Sequence, residues 1–183
     1  MFFITSKLNF ILLFTIACTT YLFPQKISLD SLIQIHQNKP QDEKILIEIG
    51  ELYAAEKKWD LAIDSYEKLV DLDPDNPDYL YRLGGTQAAY SEVVSKFRVL
   101  SLINTAKRNL IKSASLDVKH IYSRWALVQI LTELPQILGG NKENALIYCN
   151  EIQNISFIHG LISYHYFYSP LKRDFIFFCC FYY

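Results

Sequence analysis

The sequence predicts an all-α protein, a short α-α solenoid of about three helical hairpins in which the second hairpin is elongated. Apolar residues recur at helical spacing through residues 43–56 and 60–72, with polar turn sequences around them. A pattern of residues also repeats after thirty-four positions. A single glycine inside a helix carries little information. Two glycines at the same position of a thirty-four-residue pattern indicate a structural repeat. Leu46, Ile49 and Gly50 recur as Leu80, Leu83 and Gly84.

Length and composition limit the chain to one ordinary globular domain. It has 183 residues, of which 51% are hydrophobic, and a net charge of −1. This composition excludes a disordered, highly charged protein, and the length is too short for two full domains. A near-neutral chain has no electrostatic footprint for nucleic acid, so no nucleic-acid partner is expected.

Charge is nevertheless distributed unevenly along the chain. Residues 42–78 contain twelve acids and four bases, whereas residues 79–124 contain eight bases and two acids. The favoured interpretation is that two neighbouring segments complement each other. The alternative is a partner that recognises this polarity.

The first hairpin has start and stop signals where the helices require them. The polar turn "EKKW" separates its two helices, and Asp60 suits the start of the second one. The stretch "DPDNPD" ends that helix. Asn76 is then a natural N-cap and Pro77 a natural first residue for the next helix.

The residues of this hairpin resemble the tetratricopeptide repeat. The resemblance implies a right-handed stack of hairpins in which small residues let large aromatic residues interdigitate. Such close packing would offset the cost of about 1 kcal/mol for glycine inside a helix. The positions that define the repeat are filled by Leu46, Gly50, Tyr53, Ala62, Tyr66 and Pro74.

The resemblance divides a repeat domain, residues 26–155, into successive units. The first is a half repeat near residues 28–40, a lone second helix that would cover the open end of the stack. Gly84 and Ala106 carry the pattern into the second full unit, and Ala145 carries it into the third. The full units are residues 43–76, 77–119 and 120–155.

Ten extra residues enlarge the second unit, within "YSEVVSKFRVLSLINT". Because this stretch contains no Gly or Pro, we expect it to lengthen both helices by about five residues, or about 7 Å, each. Val93, Val94, Phe97 and Leu100 continue an apolar stripe there. The favoured interpretation is that this stripe packs on the next hairpin, and the alternative is an exposed docking surface.

Five extra residues enlarge the turn of the third unit, within "LPQILGGN". Pro135 and the pair Gly139–Gly140 predict a loop, and Asn141 is expected to cap the following helix. An enlarged turn of this kind is similar to a pattern in exported bacterial members of the family. This similarity favours membership of that subfamily, and it does not identify a ligand.

Residues 1–25 predict export of the chain. Lys7 is followed by an apolar run, Leu8 to Ala17, of signal-peptide length and polarity. An uncleaved membrane anchor is one alternative. A lipoprotein is another, because "TIAC" resembles a lipidation box with Cys18 as the modified residue, although Thr15 replaces the usual Leu. The periplasm, outer membrane or extracellular space is expected, with membrane contact only through such an anchor or lipid.

Residues 156–183 form an aromatic-rich, atypical tail in which the repeat is expected to have ended. From Ile155 onward there are eleven aromatic residues, and the charged residues are Lys172, Arg173 and Asp174. Two interpretations stay open: a genuine hydrophobic tail, and a truncated or frameshifted reading frame.

The sequence predicts no catalytic residue, cofactor or metal, and an enzyme is the least favoured class. The four histidines have no Ser, Cys or Asp partner at a familiar catalytic spacing. His120 is close to a helix start, where it would cap the helix or lie exposed. Cys149 and His159 are too few for a metal site, and Cys149 is expected to be a small buried hydrophobe.

The resemblance implies that a protein or peptide partner binds a concave groove formed by the first helix of each hairpin. Ile47 and Tyr81 stand where carboxylate-binding members of the family have Lys, so a carboxylate clamp is not expected. The aromatic residues instead suit an extended segment with apolar anchors. The alternative is that a neighbouring helix or the tail buries them. The groove residues are Lys44, Ile47 and Glu51, then Asp78, Tyr81 and Ala88, then Tyr122, Trp125 and Gln129.

The predicted function is therefore that of an exported scaffold for protein–protein interaction. An envelope lipoprotein with a structural or assembly role is the alternative.

Overall fold

A computed structural model describes residues 29–169, and its regular structure in that range is entirely helical. The all-α prediction is therefore confirmed. A 3-10 turn, Gln136–Leu138, lies between the sixth and seventh helices. The α-helices are α1 (Leu29–Asn38), α2 (Glu43–Ala55), α3 (Trp59–Leu72), α4 (Pro77–Ser91), α5 (Lys96–Leu116), α6 (Ile121–Glu133), α7 (Lys142–Ile155) and α8 (Phe157–Tyr168).

Each helix packs against the next one in the chain, which makes a row of hairpins. The first helices α4, α6 and α8 also contact one another in order, so they form a common face. Helix α1 packs on α2 and buries Leu32, which is 3% exposed. A helix that packs on the first hairpin is thus present at the predicted position.

Helices α4 and α7 have the predicted capping residues, whereas α3 begins at Trp59, one residue before the predicted Asp60, and has no side-chain cap. Asn76 Oδ1 accepts hydrogen bonds from the backbone N–H groups of Asp78 and Tyr79, and Pro77 is the first residue of α4. Asn141 Oδ1 accepts from the Asn144 N–H at 2.9 Å and caps α7. These side chains satisfy backbone donors that have no partner within the helix.

The two helices of the first hairpin approach closely at Gly50. A Cβ atom at this position would lie 2.5 Å from Cε1 of Tyr66. Ala62 and Tyr66 are both buried on the facing side of α3. The repeat pattern recurs at Gly84, where a Cβ atom would lie 2.9 Å from Cγ of Leu110. Glycine is therefore required at these two places by close approach of the facing helix.

The second hairpin is elongated, but the extra residues are not shared equally between its helices. Helix α4 has 15 residues against 13 in α2, whereas α5 has 21 against 14 in α3. The prediction of equal extension is wrong because α4 ends at Ser91. The Ser91 hydroxyl donates to the Ala88 carbonyl, and the β-branched residues Val93 and Val94 follow in the turn. Both features weaken helix formation.

The apolar stripe of this extension does not pack on the next hairpin, so the favoured interpretation is wrong. Val93, Phe97 and Leu100 are 65%, 97% and 47% exposed. Ile103 of α5 lines the same small cavity as Ser91 at the end of α4. The first turns of α5 therefore project beyond α4, and no other helix of residues 29–169 covers their outward side.

The helical array continues past Ile155, where the sequence pattern predicted its end. Helix α8 packs against both α6 and α7 in the position of a fourth first helix. Gly160 lies against Gln153 of α7, and the Tyr166 hydroxyl donates to Glu133 Oε1 at 3.0 Å. The expected boundary at residue 155 is corrected accordingly. The predicted signal segment with Cys18, and residues 170–183 of the tail, lie outside the described residues.

Complementary charge between the acidic and basic segments is confirmed by three ion pairs. Their nitrogen–oxygen distances lie between 2.6 and 3.5 Å. All three are at least partly exposed, so each contributes about 1 kcal/mol or less. The pairs are Arg82 with Glu51, Lys112 with Asp75 and Arg98 with Asp60.

None of the helices between residues 29 and 169 is long and apolar enough to span a membrane.

Candidate functional site

The first helices carry the predicted groove residues, and all of them except Ala88 lie two, five or nine residues after the N-cap of their helix. Lys44 and Asp78 are exposed, and Tyr122 is 37% exposed. Ile47, Glu51, Tyr81 and Ala88 are half-buried. Trp125 and Gln129 are buried. We call this surface the first-helix face and define it by Lys44, Ile47, Asp78, Tyr81 and Tyr122.

Two successive first helices bring Tyr81 and Tyr122 together. Their ring centroids are 5.9 Å apart, with an angle of 33° between the rings. The His120 ring lies beside both, 5.3 Å from Tyr81 and 6.0 Å from Tyr122. The convergence predicted from helical phase is present for these two tyrosines, and the histidine completes a three-ring cluster.

His120 caps α6, which confirms one of its two predicted roles. Its Nδ1 accepts the Ser123 backbone N–H at 3.1 Å, and the side chain is 7% exposed. Because Nδ1 is the acceptor, the neutral ring carries its proton on Nε2. Nε2 lies 3.1 Å from Asp78 Oδ1 and donates to it. The buried histidine therefore contacts an exposed carboxylate through Nε2 and both tyrosine rings through its own ring.

The first turn of α4 is fixed to α2 on the other side. The Tyr79 hydroxyl donates to Glu43 Oε2 at 2.8 Å. Burial, and then this hydrogen bond, raise the pKa of Tyr79 to about 12. Further along the same helices, Arg82 pairs with Glu51 at 2.6 Å, so the predicted groove residue Glu51 is engaged within the protein.

Trp125 is a core residue, and its predicted place in an open groove is wrong. It is 6% exposed and packs against Tyr166 of α8, with ring centroids 5.7 Å apart. Val128, Cys149 and Ile152 surround it in the same cluster. The neighbouring helix buries this tryptophan, which is the alternative that the sequence left open.

Gln129 is also buried and does not lie on the exposed first-helix face. It is 2% exposed and lines a small, mainly apolar cavity of about 50 Å³ between α4, α5 and α6. Ala88 and Ile103 line the same cavity. A ligand on the first-helix face would therefore not reach Gln129 directly.

The enlarged turn of the third unit borders a second cleft, of about 380 Å³, between α5, α6 and α7. Lys107 reaches across it, and its Nζ donates to the Gly139 carbonyl at 3.2 Å. Gly139 has φ +86°, a left-handed conformation that favours glycine. The side chain of Lys107 thus joins the predicted loop to α5.

In the part of the chain that the structure describes, the candidate metal ligands are scattered and the thiol of Cys149 is buried. Among residues 29–169 no group of three or more His, Cys, Asp and Glu is placed to hold a metal ion. The Cys149 side chain is fully buried, and burial raises the pKa of its thiol. It stays protonated at neutral pH and is a poor nucleophile.

Residues 50–89 match the family model described as TPR repeat, the tetratricopeptide repeat. The matched segment starts at Gly50 and runs through α3 and most of α4. No curated protein matches the chain. Repeats of this family generally serve as non-enzymatic scaffolds for protein–protein interaction. Residues 50–89 are therefore identified as a tetratricopeptide repeat, and the row of helical hairpins around them is consistent with a solenoid of such repeats.

Proposed function

We propose that this chain is an exported scaffold that binds an extended segment of a partner protein on its first-helix face. The observation that carries the proposal is the convergence of Tyr81 and Tyr122 from two successive helices, with Tyr122 37% exposed. Tyrosine presents a large, rigid, amphipathic surface at a small cost in conformational entropy. Such residues dominate the binding energy of many protein interfaces.

The dimensions of the face suit a short peptide. Packed helices lie about 8–10 Å apart, so a path across three first helices is about 20 Å long. An extended chain covers this length with about six residues. Along that path α2 offers Ile47, and α4 and α6 offer the two tyrosines. An apolar residue of the ligand would then lie beside Ile47, at the α2 end of the segment.

The test uses the immobilised full chain to select binding hexapeptides from a display library. Peptides that bind the first-helix face should lose at least about tenfold in affinity in a Tyr81→Ala, Tyr122→Ala variant. Phe97→Ala is the matched control, because it removes a 97% exposed aromatic side chain far from these rings. Equal loss in both variants, or retention in both, would contradict the proposal. Thermal melts establish that the double variant is folded.

Export is part of the proposal and is supported by Lys7 and the apolar run that follows it. A second candidate, an envelope lipoprotein, is supported by the resemblance of "TIAC" to a lipidation box. The mass of the mature chain from a bacterial host distinguishes them. Cleavage without lipid supports a secreted scaffold, a lipid on Cys18 supports the lipoprotein, and an uncleaved chain in the cytosolic fraction contradicts both.

A further inference from the structure

We propose that the first-helix face binds one cationic side chain, Lys or Arg, of the bound segment between Asp78 and the rings of Tyr81 and Tyr122. The inference rests on the proposed function, since it names the chemistry of the ligand for the same face. It concerns the end of the face where α4 and α6 begin.

Asp78 is the negative group of this site. Its side chain is 69% exposed, although Oδ1 accepts a hydrogen bond from His120 Nε2 at 3.1 Å. A carboxylate has about four acceptor positions on its two oxygens, so one hydrogen bond leaves most of its accepting capacity. The buried histidine also fixes the orientation of the carboxylate. Asp78 is thus a positioned acceptor that a solvent-side donor can reach.

The two tyrosines supply a surface that attracts cations. A cation within about 6 Å of an aromatic ring centroid, over its face, is attracted by the ring quadrupole. Tyr81 and Tyr122 lie 5.9 Å apart and both contact the His120 ring that holds Asp78. A guanidinium or ammonium group bonded to the carboxylate would therefore lie beside aromatic rings. An uncharged side chain would gain only the apolar part of this contact.

The surrounding charges favour a cation over an anion at this end of the face. Two basic groups of these helices are engaged: Arg82 pairs with Glu51, and Arg124 is 7% exposed and bonded to Glu151. Lys119, which precedes the cap of α6, is exposed. Lys44 is exposed, but it lies on α2, on the side of α4 away from Tyr122. A partner carboxylate beside Asp78 would meet a like charge, which destabilises it.

The substitution Asp78→Asn tests the charge without removing the hydrogen bond. The asparagine oxygen can still accept from His120 Nε2, so the cap of α6 and the ring cluster should be kept. The matched control is Asp71→Asn, an identical change at an exposed position on α3. Circular dichroism melts of the two variants should agree with that of the parent chain.

Peptides are selected on the full parent chain, and the experiment measures their binding affinity for the parent and for these two variants. We expect the selected hexapeptides to contain Arg or Lys, and to bind Asp78→Asn at least about fivefold more weakly than the parent or Asp71→Asn. Replacing the peptide Arg by citrulline, its uncharged analogue, should cause a similar loss in the parent and little loss in Asp78→Asn. The parent affinity should also fall as salt is raised from about 0.05 to about 0.5 M.

Two outcomes would overturn the proposal, and they differ in what they say about the proposed function. Peptides that depend on Tyr81 and Tyr122 but tolerate citrulline would exclude the cation site and leave peptide binding at the face intact. Peptides that bind without depending on these tyrosines would contradict both proposals.

Discussion

Gly50 of α2 and Tyr66 of α3 pack directly against each other. A helical Gly→Ala change normally stabilises by about 1 kcal/mol. Here the new Cβ atom would lie 2.5 Å from Cε1 and 2.7 Å from Cζ of a ring that is 2% exposed. We expect Gly50→Ala to lower the free energy of unfolding by about 1–2 kcal/mol, because overpacking outweighs the propensity gain. Urea unfolding followed by circular dichroism measures this.

A double-mutant cycle provides the control for Gly50. In a Tyr66→Leu background the ring is absent, so Gly50→Ala should be neutral or stabilising there. If the glycine substitution costs the same free energy in both backgrounds, close packing against Tyr66 does not explain the glycine.

Tyr79 gives the fold a dependence on alkaline pH. Its pKa is raised to about 12 by burial and then by the hydrogen bond to Glu43, whereas an unfolded tyrosine titrates near about 10. The folded state therefore holds this proton more tightly. The stabilisation from Tyr79 is complete below about pH 10 and is lost as the pH rises from about 10 to about 12.

The measurement compares the parent with Tyr79→Phe in urea unfolding at several pH values. The stability advantage of the parent should be constant between about pH 8 and about pH 10, then shrink as the pH approaches about 12. The phenylalanine variant controls for the titration of all other groups. An advantage that stays constant through this interval would show that Tyr79 is not the titrating group.

At the scale of elements, Arg124 joins three helices. Its guanidinium donates to the carbonyls of Ala114, Asp117 and His120, which end α5 and begin α6. Nε donates to Glu151 Oε2 of α7 at 2.8 Å. Carbonyl groups at a helix end have no partner within the helix. This buried side chain therefore completes the end of the longest helix among the described residues.

We expect Arg124→Met to lower the free energy of unfolding by about 2–4 kcal/mol, because buried carbonyls lose their donors. Glu151→Gln is the control and should cost less than about 1 kcal/mol, since Glu151 is 41% exposed and an amide still accepts a hydrogen bond. Equal costs for the two variants in urea unfolding would mean that the ion pair, and not the helix end, is the important contact.

The helices that the sequence predicted are those with a regular pattern and strong boundary residues. The thirty-four-residue repeat, Asn76 with Pro77, and Asn141 mark their places correctly. The end of α4 was not predictable from Gly or Pro, because a serine and two valines interrupt that helix instead. Helix α8 was not predicted as a packed helix because its pattern is inverted.

The inverted pattern of α8 has a physical cause. Its buried residues include Gly160 and Ser163, which permit close approach to α7, while Ile158 and Leu161 are exposed. A search for an apolar stripe therefore points to the wrong side of the helix. Because α8 was not predicted, the site prediction was affected as well. Helical phase correctly brought Tyr81 and Tyr122 together, but the burial of Trp125 depends on α8.

At the scale of the whole molecule, α8 is the last described helix and covers one side of α6 and α7. Trp125, Cys149 and Ile152 are at most 6% exposed, and Tyr166 of α8 belongs to the same cluster. Without α8, the outer side of α6 and α7 would be exposed to water. Solenoids are stabilised by contacts between neighbouring units, so the loss of a terminal helix should act locally.

A chain that ends at residue 155 should therefore be less stable in its last hairpin than one that ends at residue 169. Exposing one large apolar side chain costs about 1.5–3 kcal/mol, so we expect a difference of about 3 kcal/mol or more for this cluster. In a Trp59→Phe background Trp125 is the remaining tryptophan, and its fluorescence should shift to longer wavelength in the shorter chain. Hydrogen exchange should accelerate in α6 and α7 and stay slow in α2 and α3. Unchanged fluorescence and exchange in the shorter chain would show that α8 is not required to complete the stack.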